Sequence, residues 1–246
     1  MPAAEYHGVI MATALINDQI IHYELAGAED SSLRTPALLL HGNGESLEIF
    51  RPLVSSLRMA RSFVLMDSRY QGESVPQDES QPPRITYKLM ASDALKLMEH
   101  ELGVKEYDII GFSDGGITAL IMAMHSVRVR RLILIGVNTD PSGLKPKAVR
   151  WIQRQKRIAD KQGEAVKSEL CRMMLEEPHI TRDMLASVVC ETTVIQGKND
   201  EFVKKEHASA IADAIPRGSF HLIAGAGHEI PSTHTGELSD LIRTLL

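Results

Sequence analysis

The chain has 246 residues, 43% hydrophobic and 24% charged, with a formal net charge of −5 and a pI near 6.1. That length suits one α/β domain, or one domain with a modest insertion, and the acidic balance argues against nucleic-acid binding, which calls for a basic face. No apolar run reaches the roughly 20 residues of a membrane helix, and the opening MPAAEYHGVI lacks the basic and apolar regions of a signal peptide. The cysteines Cys171 and Cys190 and the scattered histidines offer no metal-type spacing. A cytoplasmic protein without metal or cofactor, bound to neither membrane nor nucleic acid, is expected.

In chain order, MATALINDQIIHYELAG (11–27) carries two β-like runs around Asn17-Asp18, which predicts a hairpin. ALLL (37–40) predicts a buried strand, followed by a helix in LEIFRPLVSSLR, and FVLM (63–66) predicts another strand. A helix is expected from about Thr86, with Ala91, Ala94, Leu95, Met98 and Leu102 on one face and Gly103 as its stop. DIIGF (108–112) leads into GGITALIMAMHS, and RLILIGV (131–137) follows. TVIQG (193–197) precedes a helix with Ala208, Ile211, Ala212 and Ile215 in step, and FHLIAG (220–225) precedes one with Leu238, Leu241, Ile242 and Leu245. Continuous apolar strands alternating with amphipathic helices predict an α/β fold: a mostly parallel sheet covered on both faces. Such sheets bind ligands beyond the C-terminal ends of their strands.

Residues 139–190 break the alternation, because they hold helical patterns (146–162, 164–175 and 181–189, with Thr181 as an N-cap) and no strand signal. The expected organisation is a core from residues 1–138 and 191–246 with a helical lid at 139–190. An insertion with no part in the site is the alternative.

Gly111-Phe112-Ser113-Asp114-Gly115 fits G-x-S-x-G between an apolar strand and a helix, the setting of a nucleophile elbow. Side chains at Gly111 or Gly115 would collide with the strained serine turn or the crossing helix. A serine hydroxyl needs a base to take its proton, and the partners should follow in the order acid, then histidine. Asp200 in QGKNDEF and His228 in IAGAGHEIP each follow a strand in that order. His228 is assigned as general base and Asp200 as the group that orients it and stabilises its charged form. Glu201 is a rival acid at a less suitable distance from Gly197. The oxyanion of an acyl-transfer intermediate needs backbone donors, each worth roughly 3–4 kcal/mol. The amide of Asn43 in LLLHGNGES and the amide of Asp114 are the candidates. His41 is expected to brace that loop rather than to act in catalysis.

Together these motifs resemble the α/β-hydrolase fold superfamily along essentially the whole chain: HGNG at 41–44, DSRYQGES at 67–74, GFSDGG at 111–116, GKND at 197–200 and GAGH at 225–228. GFSDGGITAL is most similar to the biphenyl hydrolase-like, or valacyclovirase-like, serine esterases, which act on small esters and amino acid esters. The resemblance implies a serine hydrolase forming an acyl-enzyme on Ser113 with a small-molecule acyl substrate, as a monomer or a homo-oligomer. The same machinery also serves amide, thioester and carbon–carbon bond hydrolysis, acyl transfer to alcohols, cofactor-free haloperoxidase activity and slow-turnover ligand receptors. A serine at position 113 argues against dehalogenase and epoxide hydrolase chemistry, which resembles this pattern only with an aspartate there.

The family loop often reads D-x-R-G-x-G-x-S, but Tyr70 stands here in place of the first glycine. Tyr70 and Gly44 are therefore candidate substrate-binding residues, with Asp114. The Asp114 carboxylate either attracts a substrate cation, such as a free α-amino group, or simply favours the helix N-terminus. Residues 145–167 carry eight Lys or Arg against Asp160 and Glu164. That stretch either steers anionic substrates or is a solvated helix face.

Overall fold

Strands that are apolar on both faces are stable only where helices cover both sides, and that requirement sets the architecture. The computed structural model describes residues 9–27, 35–57 and 61–246. Its elements are β1 (Ile10–Ile16), β2 (Gln19–Gly27), β3 (Ala37–Leu40), α1 (Arg51–Leu57), β4 (Ser62–Met66), β5 (Val75–Pro76), α2 (Tyr87–Lys96), β6 (Tyr107–Phe112), α3 (Asp114–His125), β7 (Val129–Ile135), α4 (Pro146–Gln162), α5 (Ala165–Glu176), α6 (Arg182–Ala186), β8 (Glu191–Gly197), α7 (Lys205–Ala214), β9 (Gly218–Ile223), α8 (Ile230–Thr233) and α9 (Thr235–Leu245).

Among the described residues the strands form one nine-stranded sheet in the order β1-β2-β4-β3-β6-β7-β8-β9, with β5 paired to β2. β1 and β2 form an antiparallel hairpin through Asn17-Asp18, where Asn17 adopts φ 54°, and β2 also runs antiparallel to β4. From β4 to β9 all neighbours are parallel.

The alternation of side chains splits each central strand between two cores. Leu38, Leu40, Ile109, Leu132, Leu134 and Val194 pack on the face of α2, α3 and α7. Ala37, Leu39, Ile110, Phe112, Ile133, Ile135 and Ile195 pack on the face of α1 and α9.

The boundaries differ from the sequence pattern in three places. Thr86 caps α2 by accepting from Leu89 N–H, and the helix runs on past Lys96 as a wider π turn over Leu97–Glu101 before Gly103 turns at φ 61°. α6 ends at Ala186 because the Ser187 and Val188 amides bond back three residues, tightening the chain out of the helix. β9 ends at Ile223, before Gly225 turns at φ 79°.

The helices α4, α5 and α6 lie between β7 and β8 and so stand at the C-terminal edge of the sheet. α4 uses Ala148, Ile152 and Ala159 as its buried stripe, and Gly163 ends it in the left-handed region. Ile152 packs with Leu144, Cys171 and Val203 in a small separate core.

Leu39 is fully buried in a central strand. Leu39→Ala is expected to lower unfolding stability by about 2–5 kcal/mol, measured as a shift of the denaturant midpoint at unchanged m-value.

Candidate active site

β6 is buried along its whole length, and at its end the chain reverses direction through a single residue. Ser113 holds φ 50° and ψ −118°, a conformation of the kind that costs about 1–3 kcal/mol and persists only where neighbours enforce it. Its N–H donates to Ile135 O at 2.8 Å, and its carbonyl accepts from Gly116 and Ile117 at 2.9 and 3.0 Å. A Cβ at Gly115 would lie 2.1 Å from Leu40 O, so only glycine lets α3 start this close to β3.

Asp200 follows β8 and His228 follows β9, and both reach the Ser113 turn. The Ser113 hydroxyl lies 3.1 Å from His228 Nε2, and His228 Nδ1 lies 2.8 Å from Asp200 Oδ2. A carboxylate only accepts, so Nδ1 carries the proton and Nε2 is left bare toward the serine hydroxyl. The other Asp200 oxygen accepts from Phe202 and Val203 N–H at 2.7 and 2.8 Å. Burial opposes the charge on Asp200, but the His228 hydrogen bond and charge, with those two amides, hold its carboxyl below its ordinary value. Burial likewise opposes a charged His228, yet Asp200, and then the charges of Glu229 and Glu201, keep its pKa raised. The imidazolium is therefore favoured once formed.

Glu201, the rival acid, lies elsewhere: its carboxylate accepts the backbone N–H of His228 at 3.2 Å and so supports the loop rather than the ring. Phe202 stacks on the His228 ring at 4.9 Å between centroids, and Trp151 of α4 meets Phe202 edge-on at 5.6 Å. Gly136, at φ 62°, leaves room for the ring, because a Cβ there would sit 2.9 Å from His228 Cε1. Phe202 and Gly136 carry no local motif, and only the folded chain brings them to the histidine.

In the loop opposite, each amide has a distinct fate. Gly42 N–H donates to Glu45 Oε2 at 2.9 Å, and Gly44 N–H donates to Gln71 Oε1 at 2.6 Å. The Asn43 N–H has no acceptor among the described residues and is the amide left available. Asp114 N–H, in the first turn of α3, likewise has no intrahelical acceptor. His41 is fully buried, donates from Nδ1 to Gly42 O at 2.7 Å and accepts Ser68 N–H on Nε2 at 3.0 Å. Burial lowers its pKa, which keeps it neutral in this bracing role.

The Asp114 side chain is buried beside the serine. Its carboxylate accepts from Asn43 Nδ2 at 2.8 Å and from the Tyr87 hydroxyl at 2.7 Å. Burial raises the Asp114 pKa against those two donors, and burial, then the Asp114 charge, raises that of Tyr87. Sequence reasoning missed Tyr87, which sits in α2 with no motif around it.

Ser113, Asp114, His228 and Tyr87 line a narrow recess, closed on one side by Leu144, Met174 and Phe202. Met174 also borders an outer cavity of about 690 Å³ between residues 43–45, the 70–72 turn and the helices α4 and α5. Gly44 and Tyr70 both line that outer cavity. Tyr70 adopts φ 60°, the left-handed backbone that explains the glycine usual at this place in the family loop. Among the described residues no cluster of His, Cys, Asp or Glu is arranged to hold a metal, and no helix is long and apolar enough to cross a membrane.

Residues 35–181 match the α/β hydrolase fold family, and the chain belongs to it. Within that family it is a serine hydrolase. The serine hydrolase BPHL of Mus musculus is 28% identical over 97% of this chain and 87% of its own length. BPHL of Homo sapiens is 27% identical over 100% of this chain and 89% of its own. A thermophilic esterase from Thermogutta terrifontis superposes with a TM-score of 0.78 over 96% of this chain and 97% of its own, at 22% identity, a likeness that shows the shared fold.

Gly136→Ala is expected to push His228 off Ser113 without unfolding the protein. Hydrolysis of a short p-nitrophenyl ester should fall about 100-fold, with the thermal midpoint within a few degrees of wild type.

Proposed function

We propose that the protein is an esterase that cleaves small carboxylic esters through an acyl-enzyme on Ser113. The line from Ser113 Oγ to His228 Nε2 to Asp200, at 3.1 and 2.8 Å, carries this reading. As Oγ attacks the acyl carbonyl, Nε2 takes its proton, and the carbonyl oxygen becomes an oxyanion facing the Asn43 and Asp114 amides. Collapse expels the alcohol, which receives the proton from His228. Water then repeats the sequence on the acyl-enzyme and frees Ser113. The helices α4 and α5 act as a lid, with Met174 between the recess and the outer cavity.

The favoured substrate is an ester whose acyl part carries a free ammonium. Asp114 supports this, because its carboxylate is buried against the recess without a cationic hydrogen-bond partner among the described residues. A carboxylate offers about four acceptor positions, and only two are used here, by Asn43 and Tyr87. A substrate ammonium reaching Asp114 would supply the missing countercharge. The BPHL enzymes share the fold and serine chemistry along nearly the full chain, which supports the esterase reading.

Ser113→Ala is expected to lower kcat on a p-nitrophenyl ester by about 10⁴-fold or more; full activity in that variant would overturn the mechanism. Asp114→Asn should raise KM or lower kcat for aminoacyl esters at least about tenfold, the effect of some 1.4 kcal/mol, while sparing neutral esters of equal size. Equal losses on both would leave Asp114 only its role of holding Asn43 and the start of α3.

A further inference from the structure

The amides on either side of Asn43 are both held by side chains to which the sequence motifs assign no role. Gly42 N–H rests on Glu45, and Gly44 N–H rests on Gln71, which reaches across from the turn after Arg69. The loop is thus clamped on either side of the peptide that carries the Asn43 N–H, by a carboxyl group and an amide, while His41 holds that peptide's own carbonyl, Gly42 O. We propose that Glu45 and Gln71 are positioning residues for the Asn43 oxyanion donor, and that a proton on Glu45 loosens this clamp and lowers the rate. The proposal rests on the serine esterase reading and adds to it a pH response built into the oxyanion loop.

The surroundings of Glu45 make it titratable in the working range. Glu45 is half-buried, and Glu229, the residue after His228, presents a second carboxyl to it. The charge of His228 acts on it from the same loop, while Glu164, just before α5, and Lys167 of α5 line the same outer cavity as Glu45. Burial first, and the Glu229 charge second, push the Glu45 carboxyl up to about 7.

Ionised, Glu45 accepts the Gly42 N–H as a charge-assisted hydrogen bond, roughly twice as strong as one between neutral groups. Its negative charge also favours the His228 imidazolium that forms as Ser113 attacks. As pH falls through about 7, Glu45 takes up a proton; its carbonyl oxygen still accepts the Gly42 N–H, but the charge assistance and the attraction for the imidazolium are lost. In the same direction His228, its pKa also raised, ceases to be a base. The acid side of the rate profile should therefore carry a second, finite step beside the proton that silences His228. Gln71 does not titrate, so its contribution is constant with pH.

The test uses the full chain, a p-nitrophenyl ester for turnover and a fluorophosphonate for the rate of covalent labelling of Ser113. Wild type is expected to show in log kcat/KM a finite step centred near pH 7, beside the unit slope set by His228. Glu45→Gln should keep an acceptor for Gly42 N–H and show the unit slope without that step. Glu45→Ala should lose about 10–100-fold in kcat at alkaline pH, with KM nearly unchanged, and label Ser113 correspondingly slowly. Gln71→Leu should lose a similar factor that does not vary with pH. A Glu45→Gln profile superimposed on wild type, or Glu45→Ala labelling at the wild-type rate, overturns the proposal while leaving the esterase reading intact. A wild-type chain that fluorophosphonate does not label at Ser113 overturns both.

Discussion

The structure turns on one forced bend. β6 lies in the middle of the sheet, with neighbours bonded on both sides and both faces covered, so it has no freedom to drift. At its end the chain must start α3 at once, and Ser113 takes the positive φ that this requires. A serine has no conformational advantage there over glycine. The strain is tolerated because the Ile135 carbonyl, the Gly116 and Ile117 amides and the close seat of α3 on β3 all fix the same geometry. What the strain secures is a hydroxyl held clear of its own backbone beside the Asp114 amide at the start of α3. Every other part of the site is arranged around that hydroxyl.

Four carboxyl groups surround the His228 loop, and each does something different because each meets it from a different side. Asp200 bonds the ring and is held ionised by two backbone amides on its second oxygen. Glu201 bonds the loop backbone. Glu229 lies beside Glu45, whose carboxyl is raised by burial first and by the Glu229 charge second. The histidine accordingly feels an acidic environment whose charge changes with pH. Neighbouring residues in the chain, Asp200 and Glu201, reach different atoms of His228, the one its ring and the other its backbone N–H.

The fold was legible in the sequence because burial on both faces leaves no alternative to continuous apolar strands. ALLL, DIIGF and RLILIGV each read as strands for that reason, and helices with a single apolar stripe had to cover them. The elbow and its two later loops were legible because each motif is local: glycine spacing around Ser113, and a loop residue just beyond a strand for Asp200 and His228. Tyr87, Gln71, Gly136 and Phe202 were not. Each acts at a point where segments distant in the chain come within a few ångströms, as Gln71 does at Gly44 and Gly136 at His228. Tyr70 falls between these cases, since its departure from the family loop was visible but its left-handed backbone was not. Element ends were misjudged where a turn closed early, after Ala186 and after Ile223.

Charge on the two sides of α4 pulls in opposite senses, and burial decides which matters at Ser113. Lys147, Arg150, Arg154, Arg157 and Lys161 of α4 are all exposed, where water and salt screen them within about 8–10 Å. Asp114 is enclosed beside Ser113, in a medium where the same unit charge acts several times more strongly. The basic stripe is thus the solvated outer face of a helix whose inner stripe is Ala148, Ile152 and Ala159. An anionic acyl group entering the recess would meet Asp114 and, behind the histidine, Asp200 and Glu45. An ammonium would meet two unused acceptor positions on Asp114, already oriented by Tyr87 and Asn43. Because Asn43 is also the proposed oxyanion donor, the carboxylate proposed to select the substrate's charge and the loop proposed to stabilise its transition state share one hydrogen bond.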